Sequence, residues 1–190
     1  MKSEAELTGE KHDLLLEILD WLKYILIAVM IGLLLVVFVI QRNSVIGDSM
    51  VPNYRQDDQL LVEKISKLFD GIGYGDVITI KTDKLSGHEG SPNIIKRVVG
   101  LPGDLIEIRT DGVYRNGELL DESGYLSSTV STEIRNLAFA KVKLADDEYY
   151  VLGDNRPISL DSRSFGPVKL DYVIGSVLIR FYPFEDFGTP

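Results

Sequence analysis

Hydrophobic positions along the chain form one long run near the N-terminus and many short runs after it. From Trp21 to Ile40 the sequence WLKYILIAVMIGLLLVVFVI contains a single charged residue, Lys23. Twenty helical residues rise ~30 Å, which matches the hydrocarbon core of a bilayer. The pattern therefore predicts a transmembrane helix over residues 21–41. Because no small-residue cleavage site follows the run, we expect this helix to remain attached as an anchor.

The residues before this run follow a weaker, amphipathic pattern. Leu15, Ile18, Leu19 and Leu22 recur at helical spacing within KHDLLLEILDWL, which predicts one apolar helical face. We therefore assign residues 1–20 to an N-terminal tail that contains an amphipathic helical segment.

After Arg42 the pattern changes to short apolar runs separated by turn signals. The pairs Asp111-Gly112 and Asn116-Gly117 are typical of hairpin turns. This pattern predicts a mainly β domain, an antiparallel sheet or barrel-like structure over residues 42–190, preceded by the one transmembrane helix. The predicted strands are QLLVEKI, DVITIK, NIIKRVVG, LIEIR, AKVKL, EYYVLG and VIGSVLIRFY.

Composition and charge narrow the classes of function. The chain has 190 residues, enough for one domain with a core plus an accessory segment. Its 29 acidic residues outnumber its 20 basic ones, and the net charge of -9 argues against a nucleic-acid partner. The absence of cysteine excludes thiol nucleophiles, thiolate zinc sites and disulfides.

The first candidate for chemistry is Ser49, in the stretch VIGDSMVPN that closely follows the apolar run. Taken alone, this Gly-Asp-Ser turn is most simply a connection between a helix and a strand. A serine nucleophile needs a base to take its proton. The chain has two histidines, His12 before the anchor and His88 in the loop sequence GHEG.

Lys96, in the strand NIIKRVVG, is a second candidate base. Strand alternation places it on one face with Ile94 and Val98. Burial among apolar neighbours can lower the pKa of a lysine from ~10.4 by several units and leave it able to accept a proton. The alternative is an edge strand whose charged residues discourage aggregation.

The third stretch, GDNRPISLDSRSFGPV, contains two aspartates and two arginines among serines. It could be a hydrophilic loop whose exposed charges contribute little. It could also support a site, because the hydroxyl of Ser159 can hold a neutral lysine without adding a charge. An ion pair between Asp161 and Arg163 could brace the same loop.

Together the three stretches resemble bacterial type I signal peptidase, a family of membrane-anchored Ser-Lys endopeptidases that remove signal peptides from exported proteins. The resemblance rests on Ser-Met-x-Pro at Ser49, on KRVVGLPGD and on GDNRPISLDSR, in this order behind an N-terminal anchor. It implies that Ser49 is the nucleophile and Lys96 the general base. It further implies that Ser159 orients the lysine and that Asp161 and Arg163 brace the loop.

The resemblance also implies how the substrate binds. An extended peptide is expected between the segment before Ser49 and the NIIK strand. The expected walls of the pockets for small side chains are Val45, Ile46, Met50 and Ile95. Some members carry a serine two residues before the nucleophile as an oxyanion donor, and Gly47 stands there in this chain. We therefore expect the backbone N-H of Ser49 to serve as the main donor.

Partners and location follow from the same resemblance. The expected partners are exported preproteins with signal peptides, the lipid bilayer and the protein export machinery. The N-terminus is expected in the cytoplasm and the catalytic domain outside the cell membrane. We expect no metal and no other cofactor, because there is no cysteine and no histidine pair at ligand spacing.

Two other functions stay open on the sequence. A self-cleaving peptidase of the repressor type can share the Ser-Met element and the lysine, although the anchor and the GDNR stretch count against it. A non-catalytic, membrane-tethered β domain in surface assembly is the second alternative, although Ser49 and Lys96 are both present.

Overall fold

The computed structural model describes residues 4–69, 71–83, 85 and 93–189. The chain divides into two compact units, Met1–Ile40 and Gln41–Pro190. The first unit is one helix, α1 (Glu4–Phe38). Within it, Leu16–Val36 has a mean hydropathy of 2.1, and this stretch is long and apolar enough to cross a membrane.

The end of α1 differs from the predicted end of the anchor at residue 41. The helix ends at Phe38, and Ile40 already begins the first strand. At its other end the helix continues through residues 4–20, so the predicted amphipathic segment and the apolar run are one continuous helix. A hydrophobicity count misses this end because Ile40 is as apolar as the helical residues before it.

The second unit contains two antiparallel sheets. The larger has the strand order β1-β2-β11-β3-β4-β9-β10, and the smaller has the order β7-β6-β5-β8. The mainly antiparallel β fold behind an N-terminal apolar helix is thereby confirmed. The strands are β1 (Ile40–Ser44), β2 (Gln59–Glu63), β3 (Val77–Lys81), β4 (Asn93–Gly100), β5 (Leu105–Arg109), β6 (Gly112–Arg115), β7 (Glu118–Leu119), β8 (Lys141–Lys143), β9 (Glu148–Leu152), β10 (Val168–Lys169) and β11 (Val173–Tyr182). A short helix, α2 (Ser162–Phe165), precedes β10, and 3-10 turns cover Ser66–Leu68, Leu137–Phe139, Leu170–Tyr172 and Phe184–Asp186.

All seven predicted strands are present, as β2, β3, β4, β5, β8, β9 and β11. The turn between β6 and β7 has positive φ at both Asn116 (54°) and Gly117 (91°), as a tight hairpin with this pair requires. The other four strands, β1, β6, β7 and β10, were not predicted, and the last three have four residues or fewer. Their sequences lack an apolar run, so the tertiary pairing of the sheets places them.

β4 lies inside the larger sheet and carries the predicted base. It pairs with β3, where Lys96 lies opposite Ile78, and with β9, where Arg97 lies opposite Leu152. Lys96 is paired only on its β3 side, but its side chain is buried, so it is not an exposed charge that discourages aggregation at a sheet edge. A cluster of buried apolar residues lies around the segment that contains Ser49 and β4: Val45, Met50, Tyr54, Leu60, Val77 and Ile95.

Candidate active site

Ser49 and Lys96 are in contact although they lie 47 residues apart in the sequence. Nζ of Lys96 donates to Oγ of Ser49 at 2.7 Å. Ser49 lies in the turn after β1, where Gly47 has a φ of +81° that side chains rarely adopt. Lys96 comes from the middle of β4, so the rigid sheet holds the amine against the hydroxyl.

The surroundings of Lys96 favour its neutral form. Its side chain is almost completely buried, and burial lowers the pKa of Lys96 from 10.5 to about 8. The charges of Asp161 and Asp154 oppose this shift in part. Nζ also donates to the carbonyl of Ile95 at 2.9 Å. Among the described residues Lys96 forms no ion pair with a carboxylate, which would have kept its proton in place.

The loop after β9 holds the turn that carries Ser49. The backbone N-H of Asn155 donates to the carbonyl of Ser49 at 3.0 Å, and its side-chain amide donates to the carbonyl of Asp48 at 3.0 Å. A Cβ added to Gly153 would lie 2.5 Å from the same Ser49 carbonyl, closer than real contacts allow. Sequence reasoning gave Gly153 and Asn155 no role. Their only signal was membership of the GDNR stretch.

Asp161 and Arg163, predicted to brace this loop, form a fully buried ion pair. Nε and Nη2 of Arg163 each donate to one carboxylate oxygen of Asp161 at 2.8 Å. The carboxylate also accepts from the N-H of Gly153 at 3.1 Å, and Arg163 donates to the carbonyl of Arg156 at 2.8 Å. These buried contacts hold the loop in place. The interpretation of this stretch as a hydrophilic loop with exposed charges is therefore wrong.

Ser159 lies near the dyad but forms no hydrogen bond with Lys96 in this structure. Lys96 donates to Ser49 and to Ile95, and Oγ of Ser159 is buried without a hydrogen-bond partner in the described part of the chain. A Cβ on Gly153 would lie 2.1 Å from this Oγ, so the hydroxyl points at Gly153. One rotatable bond decides where a serine hydroxyl points, and the sequence does not specify it.

A second buried ion pair, which sequence reasoning missed, lies beside the dyad. Nε and Nη2 of Arg97 donate to the two carboxylate oxygens of Asp154 at 2.9 and 2.7 Å. Asp154 also accepts from the side-chain amide of Asn53 at 2.8 Å. The pair thereby joins β4, the loop after β9 and the segment after Ser49. A buried bidentate arginine of this kind positions backbone more than it adds stability.

The predicted pocket residues separate into two groups. Ile46, which is exposed, and Ile95 line a cavity of about 200 Å³ together with Arg42, Asn43, Ser44, Thr79 and Asn93. Val45 and Met50 are not among the residues that line this cavity, and both are buried in the apolar cluster to which Ile95 also belongs. The sequence could not separate them, since all four are apolar residues next to Ser49 or Lys96.

One side of the N-terminal half of β4 is unpaired. β4 pairs with β3 along Asn93–Arg97, but with β9 only from Arg97 to Gly100. Residues 93–96 therefore have no strand on their second side among the described strands. Such an edge can accept an extended peptide through main-chain hydrogen bonds.

The alternative base His88 lies outside the described residues. Within the described residues no group of three or more histidine, aspartate or glutamate side chains has the geometry of a metal site.

Comparison with known proteins shows the family of this chain. Residues 18–182 match the family described as "Signal peptidase, peptidase S26". The chain belongs to this peptidase family. It is 31% identical over 185 residues to signal peptidase IB of Staphylococcus aureus strain COL, an alignment that covers 90% of this chain and 93% of that protein. It is 34% identical over 167 residues to probable signal peptidase I-2 of Synechocystis sp., covering 87% and 74% of the two chains.

A solved structure is also similar. The crystal structure of a signal peptidase I from Enterococcus faecalis V583 matches with a TM-score of 0.43 and 31% identity, over 55% of this chain and 95% of that one. As a member of the S26 family, with signal peptidase I relatives over most of its length, the chain is a peptidase.

Proposed function

We propose that this peptidase is a serine endopeptidase that cleaves N-terminal signal peptides from exported preproteins, with Ser49 as nucleophile and Lys96 as general base. The observation that carries the proposal is the 2.7 Å contact between Oγ of Ser49 and Nζ of a buried lysine. A base that loses its proton near pH 8 is matched to work at neutral or slightly alkaline pH.

In the proposed reaction, neutral Lys96 accepts the proton of Ser49 as Oγ attacks the carbonyl carbon of the scissile peptide bond. The resulting ammonium then protonates the leaving amine, and the peptide bond breaks to leave an ester on Ser49. Water, deprotonated by Lys96, attacks this ester. The tetrahedral intermediate then collapses, which releases the carboxylate of the signal peptide and returns the proton from Lys96 to Ser49.

Backbone groups of the serine turn are the proposed oxyanion donors. Gly47 offers no side-chain donor, and the N-H of Ser49 has no acceptor among the described residues. This N-H can therefore donate to the oxygen on which negative charge develops. Because the side-chain amide of Asn155 holds the carbonyl of Asp48, which shares a peptide plane with the N-H of Ser49, this plane keeps its orientation during attack.

The unpaired edge of β4 is the proposed substrate site. An extended signal peptide would add as a strand along residues 93–96. Because this unpaired edge ends at Lys96, the scissile bond of the peptide would lie next to Ser49. The small cavity beside Ile46 and Ile95 would accept a side chain of this peptide. Its volume of about 200 Å³ suits small residues, such as those that precede signal-peptide cleavage sites.

The apolar stretch Leu16–Val36 is the proposed membrane anchor, with the N-terminus in the cytoplasm and the catalytic unit outside. Signal peptides are in or near the bilayer when they are cut, and Ser49 follows Val36 by only thirteen residues. The anchor would keep the nucleophile near its substrate. The bilayer and the export machinery are the partners that this placement implies.

Cleavage of a labelled preprotein tests the proposal. Full-length protein in detergent is compared with Ser49→Ala and with Ser128→Ala, a control at an exposed serine. We expect the parent and the control to cut after a small residue, as mapped by mass, and Ser49→Ala to cut nothing. Cleavage by Ser49→Ala would contradict the assigned nucleophile. Self-cleavage without preprotein cleavage would favour the repressor type, and no cleavage by the parent would favour the non-catalytic β domain.

A further inference from the structure

A second cavity of about 460 Å³ lies in the unit Gln41–Pro190 and is lined by three lysines, Lys64, Lys67 and Lys81. The amides of Gln41 and Asn93 complete its polar lining. Five chain segments meet there: β1, the turn after β2, the end of β3, the start of β4 and the start of β11. None of these three lysines takes part in the proposed Ser49–Lys96 dyad or in the proposed binding of substrate along the unpaired edge of β4.

The three lysines concentrate positive charge in a protein that is otherwise acidic. The chain has a net charge of -9 and only 20 basic residues. No carboxylate is among the described residues that line the cavity. Like charges that converge in this way repel one another, and an anion between them relieves the repulsion.

Lys67 is held at the wall of the cavity by a hydrogen bond. Its Nζ donates to the carbonyl of Val173 at 2.7 Å, which holds the ammonium at the cavity wall. An ammonium has three donors, so this contact uses only one of them. Burial, followed by the charge of Lys81, lowers the pKa of Lys67, while Asp171 opposes the shift. The charges of Lys67 and Lys81 therefore act on each other within the cavity.

We propose that this cavity binds a phosphate group through Lys67 and Lys81, with Lys64, Gln41 and Asn93 in supporting positions. Lysine ammonium groups bind phosphate oxygens as point charges, and the side-chain amides add neutral donors. The cavity is larger than one phosphate group, so it has room for a phosphate esterified to a small alcohol.

Two observations favour a phospholipid headgroup as the source of this phosphate. Ile65, Leu68 and Phe69 are exposed apolar residues in the same turn as Lys64 and Lys67, with Leu68 71% and Phe69 78% exposed. Apolar side chains beside lysines are typical of surfaces that meet anionic lipid. In addition, Gln41 follows Val36 by five residues, a length of chain that spans at most ~18 Å. The lipid source, but not the phosphate site, rests on the proposed membrane anchor.

The test measures binding rather than cleavage, so its outcome is independent of the proposed peptidase mechanism. Full-length protein in nonionic detergent is titrated with phosphatidylglycerol, with phosphatidylcholine, and with sodium phosphate against sodium chloride of equal ionic strength. The readouts are the thermal midpoint and the number of lipids retained in native mass spectrometry. The variants are Lys67→Gln with Lys81→Gln, and Lys81→Gln alone, which changes an exposed side chain.

The matched control is Lys141→Gln with Lys169→Gln, which removes the same charge at exposed lysines that do not line the cavity. We expect phosphatidylglycerol to raise the midpoint of the parent and of the control. Each lysine contributes roughly fivefold, so Lys81→Gln weakens binding about fivefold and the double variant about 25-fold.

The two arms distinguish the sources of the phosphate. A shift with phosphatidylglycerol alone identifies a lipid headgroup, and an equal lysine-dependent shift with sodium phosphate identifies a site for the free anion. Both results support the phosphate site. Phosphatidylglycerol binding that is unchanged in the Lys67 and Lys81 variants, or lost equally in the control, would overturn it.

Discussion

Lys96 and Arg97 are neighbours on β4 and are both buried, but they have different partners and opposite pKa shifts. Lys96 contacts a hydroxyl and a carbonyl, and burial lowers its pKa to about 8. Arg97 faces Asp154 through two parallel hydrogen bonds. Burial alone lowers the pKa of Arg97, but the hydrogen bonds and charge of Asp154 outweigh it and hold that pKa above its ordinary value.

The difference shows how one strand supplies both a reactive and a structural cation. A buried cation with a carboxylate partner keeps its charge, whereas one with only neutral partners loses its proton more easily. Because residues alternate across a strand, adjacent positions meet these two environments without any change in the backbone. Variants at Lys96 and at Asp154 alter one side of this comparison at a time.

The largest expected effect is on activity, from loss of the amine of Lys96. Lys96→Met keeps the length of the side chain but removes the ionisable nitrogen, so cleavage of a preprotein should be abolished. Lys96→Arg should also be inactive, because guanidinium does not release its proton in this pH range. Turnover by either variant above the Ser49→Ala background would show that Lys96 is not the base.

The stability difference between Lys96→Met and the parent should depend on pH. Between pH 8 and 10.5 the unfolded chain binds more protons at Lys96 than the folded one, so the free energy of unfolding of the parent rises with pH through this window. Below pH 8 Lys96 is charged in both states, and the cost of burying this charge lowers the free energy of unfolding of the parent by about 3 kcal/mol. Lys96→Met escapes this penalty but loses two hydrogen bonds, which leaves it more stable at pH 7 by on the order of 1 kcal/mol.

Denaturant midpoints measured from pH 7 to pH 10.5 test this dependence. The advantage of Lys96→Met should shrink as the pH rises, because the parent loses its penalty. An advantage that grows with pH would mean that the pKa of Lys96 is raised rather than lowered.

Breaking the ion pair between Arg97 and Asp154 should mainly lower stability. Asp154→Asn leaves a buried guanidinium without its charge partner, and we expect a loss of roughly 3 kcal/mol in the free energy of unfolding. The matched control is Asp147→Asn, whose contact with Lys169 at 3.8 Å lies on the surface and should cost less than about 1 kcal/mol. Chemical denaturation compares the two, and equal losses would contradict the structural role of Arg97 and Asp154.

A methyl group at Gly153 tests the contact between the loop and the serine turn. Its Cβ would meet the carbonyl of Ser49 at 2.5 Å, so Gly153→Ala must displace backbone and should lower stability by roughly 1 to 3 kcal/mol together with the cleavage rate. Gly124→Ala is the control, because nothing lies within 4 Å of a Cβ there. The prediction fails if Gly153→Ala retains the parent's denaturant midpoint and rate.

The smallest expected effect on stability comes from Ser159→Ala. Its Oγ is buried without a partner in the described structure, so its removal should change the free energy of unfolding by less than about 1 kcal/mol. The cleavage rate of this variant tests the prediction that Ser159 orients Lys96. A large loss of rate with unchanged stability would mean that Ser159 turns toward Lys96 during the reaction, and an unchanged rate would remove Ser159 from the site.

Much of the fold was predictable because strand periodicity is a local property. All seven predicted runs became strands, and Asn116-Gly117 formed the expected hairpin turn. The strands β1, β6, β7 and β10 were not predictable, since their neighbours in the sheets and not their own residues place them. The true end of α1 was hidden for a similar reason, because Ile40 suits both a membrane helix and a strand.

By itself the sequence determined the residue types available for chemistry and their order along the chain. It also determined that α1 is apolar enough to cross a membrane, and it pointed to Ser49 and Lys96. Only the tertiary structure decided that these two side chains meet, that Arg97 pairs with Asp154, and that Val45 and Met50 belong to the core. The three lysines of the second cavity likewise meet only after the strands pair. Proximity between distant residues depends on strand register and packing, and the pKa of a buried group depends on that packing.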